Sequence, residues 1–393
     1  MDYSRKINLW LNENRENIIN IRRHIHSHPE LGFHEYQTAK YLKSLLRKSG
    51  YKIKTNEKMR TGFYCEYGKA VKPILAFRAD LDALPITDTK VVEYKSLNTG
   101  IMHACGHDVH MSIVTALALY LAEEKPNING KIRFIFQPAE EVLNGGALKM
   151  IESGAVDNVD AIIGVHVLPS LKAGKIGIKK GTISAAVSLL EIYLYGKGGH
   201  TSRPEETQNL VSVAADLIKE LEKYFDEKSR EEKSPYVLGF GEIKGGETFN
   251  VIPTGLLLRG SIRFLTTGQK KQLEKEILII INRISKKHKT KIEIKFPYFV
   301  PAVYNDEEVT NMAIRAARKA IGKNNVVLLE KSSMGSDDFG YYSDRTKTLF
   351  IRVGSMKKGV VDLHTANFDV NEKVIPTAVK VLLNLIDEFY SKT

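Results

Sequence analysis

Short apolar runs separated by helical patterns constrain the fold of this chain more than any other feature. The runs lie at residues 74–77, 132–136, 161–165 and 349–353. Their length and their content of β-branched and aromatic residues favour buried strands. Helical patterns occupy roughly residues 5–27, 35–49, 109–124, 307–321 and 372–390. Strands that alternate with helices predict an α/β protein whose mixed sheet is covered by helices on both faces.

A different order of elements begins near residue 181. The pattern predicts strands at 187–195, 236–243, 255–264 and 291–296 and helices at 207–225 and 268–287. This β-α-β-β-α-β order is that of the ferredoxin-like split motif. The strands alternate apolar and polar residues, which is expected when one face meets solvent. We therefore expect a discontinuous first domain over 1–185 and 299–393, and an inserted ferredoxin-like domain over 186–298.

The charge pattern argues against a nucleic-acid partner. The chain has 58 basic and 46 acidic residues and a formal net charge of +12, but lysine and glutamate alternate along the predicted helices, as solvated faces do. No apolar stretch approaches the ~20 residues of a membrane span. The first residues contain no apolar signal-peptide core. These patterns predict a cytoplasmic protein with neither a nucleic-acid nor a membrane partner.

Residues 103–108 read His-Ala-Cys-Gly-His-Asp and are the first candidate for a metal site. Cys105 and His107 are two residues apart, so both can point to one side of an extended loop, and Gly106 lets the backbone bend between them. Thiolate and imidazole are ligands of borderline transition metals. A helix is predicted to follow, and its dipole would stabilise a thiolate. The alternative is a histidine-rich turn without metal. The other cysteine, Cys65, is expected to be a core residue.

Further candidate ligands follow other predicted strands. Glu140 and Glu141 come after the strand that ends near 136, and His166 closes the strand at 161–165. Because ligands gather beyond the carboxyl ends of strands in α/β sheets, these side chains are expected to lie together. Two adjacent carboxylates are costly to bury unless they are paired or bind a cation. Taken singly, each of these residues, and His364 in its loop, is better explained by an ordinary structural role.

Together, these motifs resemble the M20 metallopeptidase superfamily. The resemblance is to its amidohydrolase branch, which includes N-acyl-amino-acid amidohydrolases, hippurate hydrolase and N-acetyl-diaminopimelate deacetylases. It covers nearly the whole chain, and the matching segments are residues 28–33, 78–85, 103–108, 137–141, 198–200, 250–253 and 260–263. Several such motifs in the family's order make a chance match implausible.

The resemblance implies a site for two divalent metal ions in each subunit. By motif match, its ligands would be Cys105, His107, Glu141, His166 and His364. Glu140 would act as general base and then as general acid, and Asp82 would orient a ligand imidazole. Zinc or manganese is expected, and cobalt or nickel would also suit these ligands.

The resemblance also assigns a role to the inserted domain as a lid and dimerisation domain. His200 matches the histidine that reaches the active site of the partner subunit and stabilises the oxyanion. Asn250 and Arg263 match polar residues that hold the substrate carboxylate, and an arginine can bind a carboxylate through two parallel hydrogen bonds. A homodimer is therefore expected.

These features predict a metal-dependent hydrolase that cleaves the amide bond of small N-acyl amino acids. The first alternative is a carboxypeptidase or dipeptidase of the same superfamily. A second alternative, from another class, is a non-catalytic protein that binds a metal or a small molecule. Glu140 argues against the second, because simple binding does not need an additional carboxylate beside the ligands.

Overall fold

The computed structural model describes residues 3–359 and 362–391. The helices are α1 (Tyr3–Glu13), α2 (Arg15–Ser27), α3 (Tyr36–Lys48), α4 (His107–Glu124), α5 (Gly146–Glu152), α6 (Leu210–Glu231), α7 (Lys270–His288), α8 (Glu307–Ile321) and α9 (Val374–Tyr390). None of these helices is both long enough and apolar enough to cross a membrane.

The strands are β1 (Phe63–Tyr67), β2 (Ile74–Asp80), β3 (Lys131–Gln137), β4 (Ala161–Lys172), β5 (Ile176–Ile178), β6 (Gly181–Ser184), β7 (Ala186–Tyr195), β8 (Gly199–His200), β9 (Tyr236–Lys244), β10 (Val251–Ile252), β11 (Gly255–Phe264), β12 (Lys291–Val300), β13 (Val303–Asn305), β14 (Val326–Leu328) and β15 (Lys347–Met356). The chain divides into two compact units. The first comprises the described parts of Met1–Ile183, Tyr304–Lys331 and Tyr341–Thr393, and the second comprises Ser184–Val303 and Ser332–Gly340.

A seven-stranded mixed sheet forms the centre of the first unit. Its strand order is β1-β3-β2-β4-β15-β5-β14. The neighbours β3-β2, β2-β4, β4-β15 and β5-β14 are parallel, whereas β1 and β5 run antiparallel to β3 and β15. Every residue of β2 is buried, as expected for a central strand that is covered on both faces. The expectation of an α/β protein with a mixed central sheet is confirmed.

Helix α4 lies within the core of the first unit. All but four of its 18 residues are buried, and it packs against α2, α9, β2 and β4. A helix that is apolar around most of its circumference is stable only when it is surrounded in this way. Because α4 is fixed on several sides, the residues at its first turn are held in a defined position.

A four-stranded antiparallel sheet and two helices form the second unit. The strand order is β12-β7-β11-β9, and buried residues alternate with partly exposed ones along β7 and β11. The buried residues of the strands form one apolar cluster with those of α6 and α7, including Leu217 and Ile281. Alternation of this kind leaves the other face of the sheet to polar groups such as Glu191 and Arg259, which form an ion pair at 2.8 Å.

Candidate metal centre

Cys105 and His107 lie at the start of α4, on either side of a glycine that the backbone requires. Gly106 has a φ of +87° and is the residue before the first helical turn. A Cβ at this position would come within 2.5 Å of Val167 Cγ2, so β4 passes directly against the turn. The positive φ and the close approach both exclude a larger residue. The predicted tight bend at Gly106 is confirmed.

Four of the candidate ligands converge near the Cys105 sulfur. His166 Nε2 lies 3.4 Å from Cys105 Sγ, and His364 Nε2 lies 3.3 Å from it on another side. The same His364 Nε2 is 3.1 Å from Glu141 Oε1. These residues come from the turn before α4, from β4, from the loop after β3 and from the loop after β15, so the fold brings together positions that are far apart in sequence.

His166 lies within β4 rather than at its end. The strand was expected to close at residue 165, but it continues to Lys172 because it pairs with β15 up to Met356. The expected strand boundary is therefore wrong, although the side chain is beside Cys105. Pairing with a neighbouring strand extends β4 past the apolar run that the sequence reveals.

Backbone hydrogen bonds fix the orientation of two imidazoles. His166 Nδ1 donates to Val167 O at 2.7 Å, and His107 Nδ1 donates to Asp82 O at 2.8 Å. In the neutral form of each ring this leaves Nε2 with its lone pair. His107 Nε2 is buried and has no hydrogen-bond partner among the described residues. A ring nitrogen that is oriented by its neighbour and left without a protein partner is typical of a metal ligand.

Asp82 connects the loop after β2 to the acidic doublet. Its Oδ1 lies 3.3 Å from His107 Nδ1, and its Oδ2 accepts the backbone N–H of Glu141 at 2.9 Å. The side chain is almost completely buried. The Asp82 carboxylate therefore contacts two candidate ligands: the imidazole ring of His107 and the backbone of Glu141.

Glu140 lies beside the ligand cluster. Its Oε2 is 3.9 Å from His107 Nε2, and its side chain is 10% exposed. The preceding residue, Ala139, has a φ of +50°, which is uncommon for a residue with a side chain. This backbone conformation turns the chain sharply as it leaves β3 and enters the acidic doublet.

The electrostatics of the cluster are those of a site with surplus negative charge. Burial alone would lower the pKa of His107, but Asp80 and Asp82 outweigh it and raise the pKa to about 10. Burial, and then the charges of Glu141 and Glu140, raise the pKa of the Cys105 thiol well above its usual range. The predicted stabilisation of a thiolate by the dipole of α4 is opposed by burial and by the doublet, which raise the pKa of Cys105 in the protein chain alone.

The residues present fit a pair of divalent cations. Ligand atoms of Cys105, Glu141 and His364 lie within 4.8 Å of one another, and so do those of His107, Glu140 and Glu141. Glu141 belongs to both groups, so the two groups are neighbours. A cation can take the place of the protons that the cluster holds on His107 and Cys105. Thiolate, imidazole and carboxylate in this number leave coordination positions for water and substrate.

His110 is a site residue that the sequence reasoning missed. Its Nδ1 donates to Asp80 Oδ1 at 2.8 Å, and its Nε2 accepts the N–H of Val167 at 3.1 Å. Both ring nitrogens are thus occupied by the protein, so His110 positions β4 against α4 and does not offer a lone pair to a metal. The available signal was its place three residues after His107 on the same helix face.

Glu35 is a second residue that was missed. Its carboxyl group is fully buried and accepts the N–H of Ala139 at 2.8 Å and the hydroxyl of Thr61 at 2.5 Å. Burial raises its pKa to about 7. Glu35 therefore anchors the turn directly before Glu140. It lies just after the motif at 28–33, whose Glu30 accepts the N–H of Thr38 at the start of α3.

The second unit brings together two of its three predicted site residues. His200 in β8 pairs with Val251 in β10 and is exposed, and Asn250 O accepts the N–H of Thr201 at 3.1 Å. His200 and Asn250 are therefore neighbours near the start of β11, where the Gly196 N–H donates to Thr254 O.

Arg263 lies toward the far end of β11. It is eight residues beyond Gly255 in β11, a span of roughly 26 Å at the usual rise of a strand. Its Nη1 donates to Met334 O at 2.9 Å. The fold of the second unit thus separates Arg263 from His200 and Asn250.

Comparison with known proteins identifies the family. Residues 76–388 match the sequence profile of peptidase family M20/M25/M40. N-acetyl-L-cysteine deacetylase from Bacillus subtilis is 35% identical over 91% of this chain and 84% of its own length. Thermostable carboxypeptidase 2 from Saccharolobus solfataricus is 32% identical over 95% of this chain and 96% of its own length.

A solved structure agrees with these relatives. The YXEP protein of Bacillus subtilis, described as a dinuclear metal-binding peptidase of family M20, superposes with a TM-score of 0.84 at 30% identity. The match covers 97% of this chain and all of that chain. The chain therefore belongs to peptidase family M20/M25/M40 and is a metal-dependent hydrolase of amide bonds.

Proposed function

We propose that the protein hydrolyses the amide bond of small N-acyl amino acids. The observation that carries the proposal is the convergence of a thiol, imidazoles and an acidic doublet around Cys105, with His364 and His166 within 3.4 Å of its sulfur. The similarity to a deacetylase that acts on N-acetyl-L-cysteine supports an acyl amino acid as the substrate.

Two divalent cations occupy the site in this proposal, held by Cys105, His107, Glu141, His166 and His364. Zinc and manganese suit this mixture of ligands, and cobalt and nickel are also compatible. When bound, such cations supply Lewis acidity, which acidifies water and polarises a carbonyl group. Asp82 positions His107 and the backbone of Glu141, as its contacts at 3.3 Å and 2.9 Å support.

Glu140 is the general base and then the general acid. Its carboxylate removes a proton from the attacking water and delivers a proton to the leaving amine, so that the amine departs as a neutral group. The 3.9 Å distance between Glu140 Oε2 and His107 Nε2 supports this role, since it places the carboxylate beside the ligands. The turn at Ala139, which Glu35 holds, sets the direction of the Glu140 side chain.

The second unit acts as a ferredoxin-like lid and dimerisation domain. Arg263 and Asn250 bind the substrate carboxylate, and His200 donates a hydrogen bond to the oxyanion, a contribution of about 3 kcal/mol to transition-state stabilisation in other enzymes. His200 and Arg263 are separated by most of the length of β11, which exceeds the length of a small acyl amino acid. One substrate molecule therefore takes Arg263 from one chain of a homodimer and both Asn250 and His200 from the other chain.

A carboxypeptidase activity is the second candidate function. The specific observation that favours it is the similarity to a thermostable carboxypeptidase over 95% of this chain. The two activities share the metal site and the general base, because both cleave an amide next to a carboxylate. They differ in the group on the acyl side, which is a simple acyl group in one case and a peptide in the other.

A substrate screen separates the two activities. The metal-loaded enzyme is assayed with acetyl, benzoyl and succinyl amino acids and with dipeptides of the same amino acids. A higher kcat/KM for acyl amino acids supports the proposal, and a higher value for dipeptides supports the peptidase. Glu140→Gln is the control for catalysis, and Glu124→Gln, at an exposed helix end, is its matched control. Metal bound at full occupancy without hydrolysis of any amide would favour a binding protein instead.

A further inference from the structure

A polar cavity lies in the first unit, away from the candidate metal centre. Its volume is about 430 Å³, and it is bordered by α1, by the start of α9 and by the turn between β4 and β5. Among the residues that line it are Lys172, Lys175, Lys373, Lys380, Asn8 and Asn12. We call this cavity the lysine pocket. Its volume falls within the usual range of small-molecule sites.

The lysine pocket carries positive charge that the protein does not neutralise. No carboxylate is among its lining residues, and none of its four lysines has an ion-pair partner within the parts of the chain that the structure describes. Other lysines of the same unit are paired, for example Lys319 with Asp387 at 3.0 Å and Lys347 with Glu308 at 2.6 Å. Like charges gathered around one concavity produce a field that attracts anions.

The side chain of Lys373 is directed to the turn that borders the pocket. Gly174 in that turn has a φ of +92°, and a Cβ built on it would lie 3.4 Å from Lys373 Cε and 3.5 Å from Lys373 Nζ. The ammonium group therefore lies over the turn between Lys172 and Lys175. Three of the four cationic side chains thus belong to two segments that touch.

Two further features suit an anion that also carries hydrogen-bonding groups. Helix α9 begins at Val374, directly after Lys373, so the positive end of its dipole adds to the charge of the lysines. Asn8 and Asn12 are four residues apart on α1 and line the pocket from the same helix face. Amide groups at this position can bind hydroxyl or base edges next to a phosphate.

The lysine pocket is separate from the metal centre. Lys172 is six residues beyond His166 along β4, which is roughly 20 Å at the rise of a strand. The residues that line the lysine pocket include none of the candidate metal ligands. A ligand bound there would not contact the reacting atoms.

We propose that the lysine pocket binds a small phosphate-bearing anion with at least two negative charges. Lysine ammonium groups are common phosphate ligands because they act as compact point charges. The phosphate can belong to an inorganic anion or to a nucleotide. Pyrophosphate and ADP carry the same diphosphate group, so a comparison of the two distinguishes these sources. This inference is independent of the proposed hydrolysis.

The test is equilibrium dialysis of the metal-loaded protein against pyrophosphate and against ADP at a constant ionic strength of about 0.15 M. Wild type is compared with the double variant Lys175→Gln/Lys373→Gln. The matched control is Lys52→Gln/Lys69→Gln, which removes the same charge from exposed lysines outside the pocket. All three proteins keep the metal centre, so any binding of the anions to the metals is the same in each. A difference in affinity between the proteins therefore reports on the lysine pocket.

The expected result is a wild-type dissociation constant below about 1 mM that rises at least about tenfold in the pocket variant and is unchanged in the control. Lys172→Gln/Lys380→Gln is a second pocket variant, in case the first does not fold, and it should show the same loss. Tighter binding of ADP than of pyrophosphate would indicate a nucleotide, and the reverse would indicate an inorganic anion. Absence of binding to wild type, or equal binding by all variants, would overturn the proposal.

Discussion

Asp82 Oδ2 accepts the backbone N–H of Glu141 at 2.9 Å, and this hydrogen bond ties the acidic doublet to the loop that follows β2. The other oxygen of the same carboxylate is 3.3 Å from Nδ1 of His107. One buried side chain therefore fixes the positions of two candidate ligands relative to each other. We therefore expect metal binding to depend on Asp82, although Asp82 is not itself a candidate ligand.

Replacement of Asp82 should weaken metal binding without removing a ligand. In Asp82→Ala, the N–H of Glu141 loses its acceptor, and the His107 ring loses the nearby carboxylate charge but keeps its hydrogen bond to the backbone oxygen at position 82. Loss of a supporting carboxylate costs about 10-fold to 100-fold in metal affinity in other proteins. Competition with a chromogenic chelator measures the change. The exposed Asp344→Asn variant is the control. An affinity equal to that of wild type would contradict the supporting role of Asp82.

Metal binding should release a proton from Cys105. The pKa of this thiol is raised by burial and by Glu141 and Glu140, so the thiol is protonated at neutral pH before a metal binds, and the thiolate is the form that binds. Cys105→Asp introduces a group that is more acidic than a thiol. Calorimetry in buffers of different ionisation enthalpy should show that wild type releases about one more proton per site than the variant. Equal proton release would show that Cys105 does not bind a metal.

The buried carboxyl group of Glu35 should make the stability of the apoprotein depend on pH. Burial raises its pKa from 4.5 to about 7 in the folded chain. Its contribution to stability is therefore fully present below pH 4.5 and is lost as the pH rises through about 7. A rise of this size in the pKa corresponds to about 3 kcal/mol.

The comparison with Glu35→Gln isolates this effect. The glutamine keeps an oxygen that can accept the N–H of Ala139, and it does not titrate. In chelator-treated protein, the free energy of unfolding of wild type relative to the variant should fall by up to about 3 kcal/mol between pH 5 and pH 8. Urea unfolding at the two pH values measures it. A constant difference would mean that Glu35 has the same pKa in both states.

Mixed dimers test whether two chains share a catalytic site. Glu140→Gln and His200→Ala should each be inactive. If His200 acts on the partner's site, a heterodimer of the two variants contains one site in which both residues are intact. Random reassortment in a twofold dimer then restores about a quarter of wild-type activity. Verified heterodimers with no turnover would contradict the shared site, and a wild-type level of activity in either single variant would contradict its role.

Much of the first unit could be predicted because its strands are buried on both faces. The runs at 74–77, 132–136, 161–165 and 349–353 all lie within strands of the mixed sheet. Helix α8 occupies the predicted range because Asp306 caps its first turn, with Oδ1 accepting the N–H of Glu308 at 3.0 Å, and Gly322 follows its last residue. Strong end signals and a clear apolar period therefore gave accurate bounds.

Other bounds depend on tertiary contacts. The helix expected over 5–27 is two helices that meet at Asn14, since an amphipathic period can continue across a break in the backbone. Strand β4 extends past His166 because β15 pairs with it. The short strands β5 and β14 pair with each other, and neither was predicted, because three residues carry too little pattern.

The ligand set came from the family resemblance and the chemistry of the side chains, whereas its supporting residues needed the structure. His110 and Glu35 were missed because their roles follow from the atoms they contact, Asp80 Oδ1 and the N–H of Ala139. A single sequence does not show which nitrogen of an imidazole ring is hydrogen-bonded to the rest of the protein. The raised pKa of Cys105 was unexpected for the same reason, because it depends on Glu141 and Glu140 lying nearby.

Anomalous diffraction from crystals of the manganese-loaded or zinc-loaded protein tests the metal centre most directly. We expect two anomalous peaks per chain, with the Cys105 sulfur about 2.3 Å from a zinc ion and imidazole nitrogens of His107, His166 and His364 about 2.0–2.1 Å from one or other of the two ions. Glu140 should bind neither ion directly. A single peak elsewhere, or the absence of any peak near Cys105 in a catalytically active crystal, would contradict this expectation.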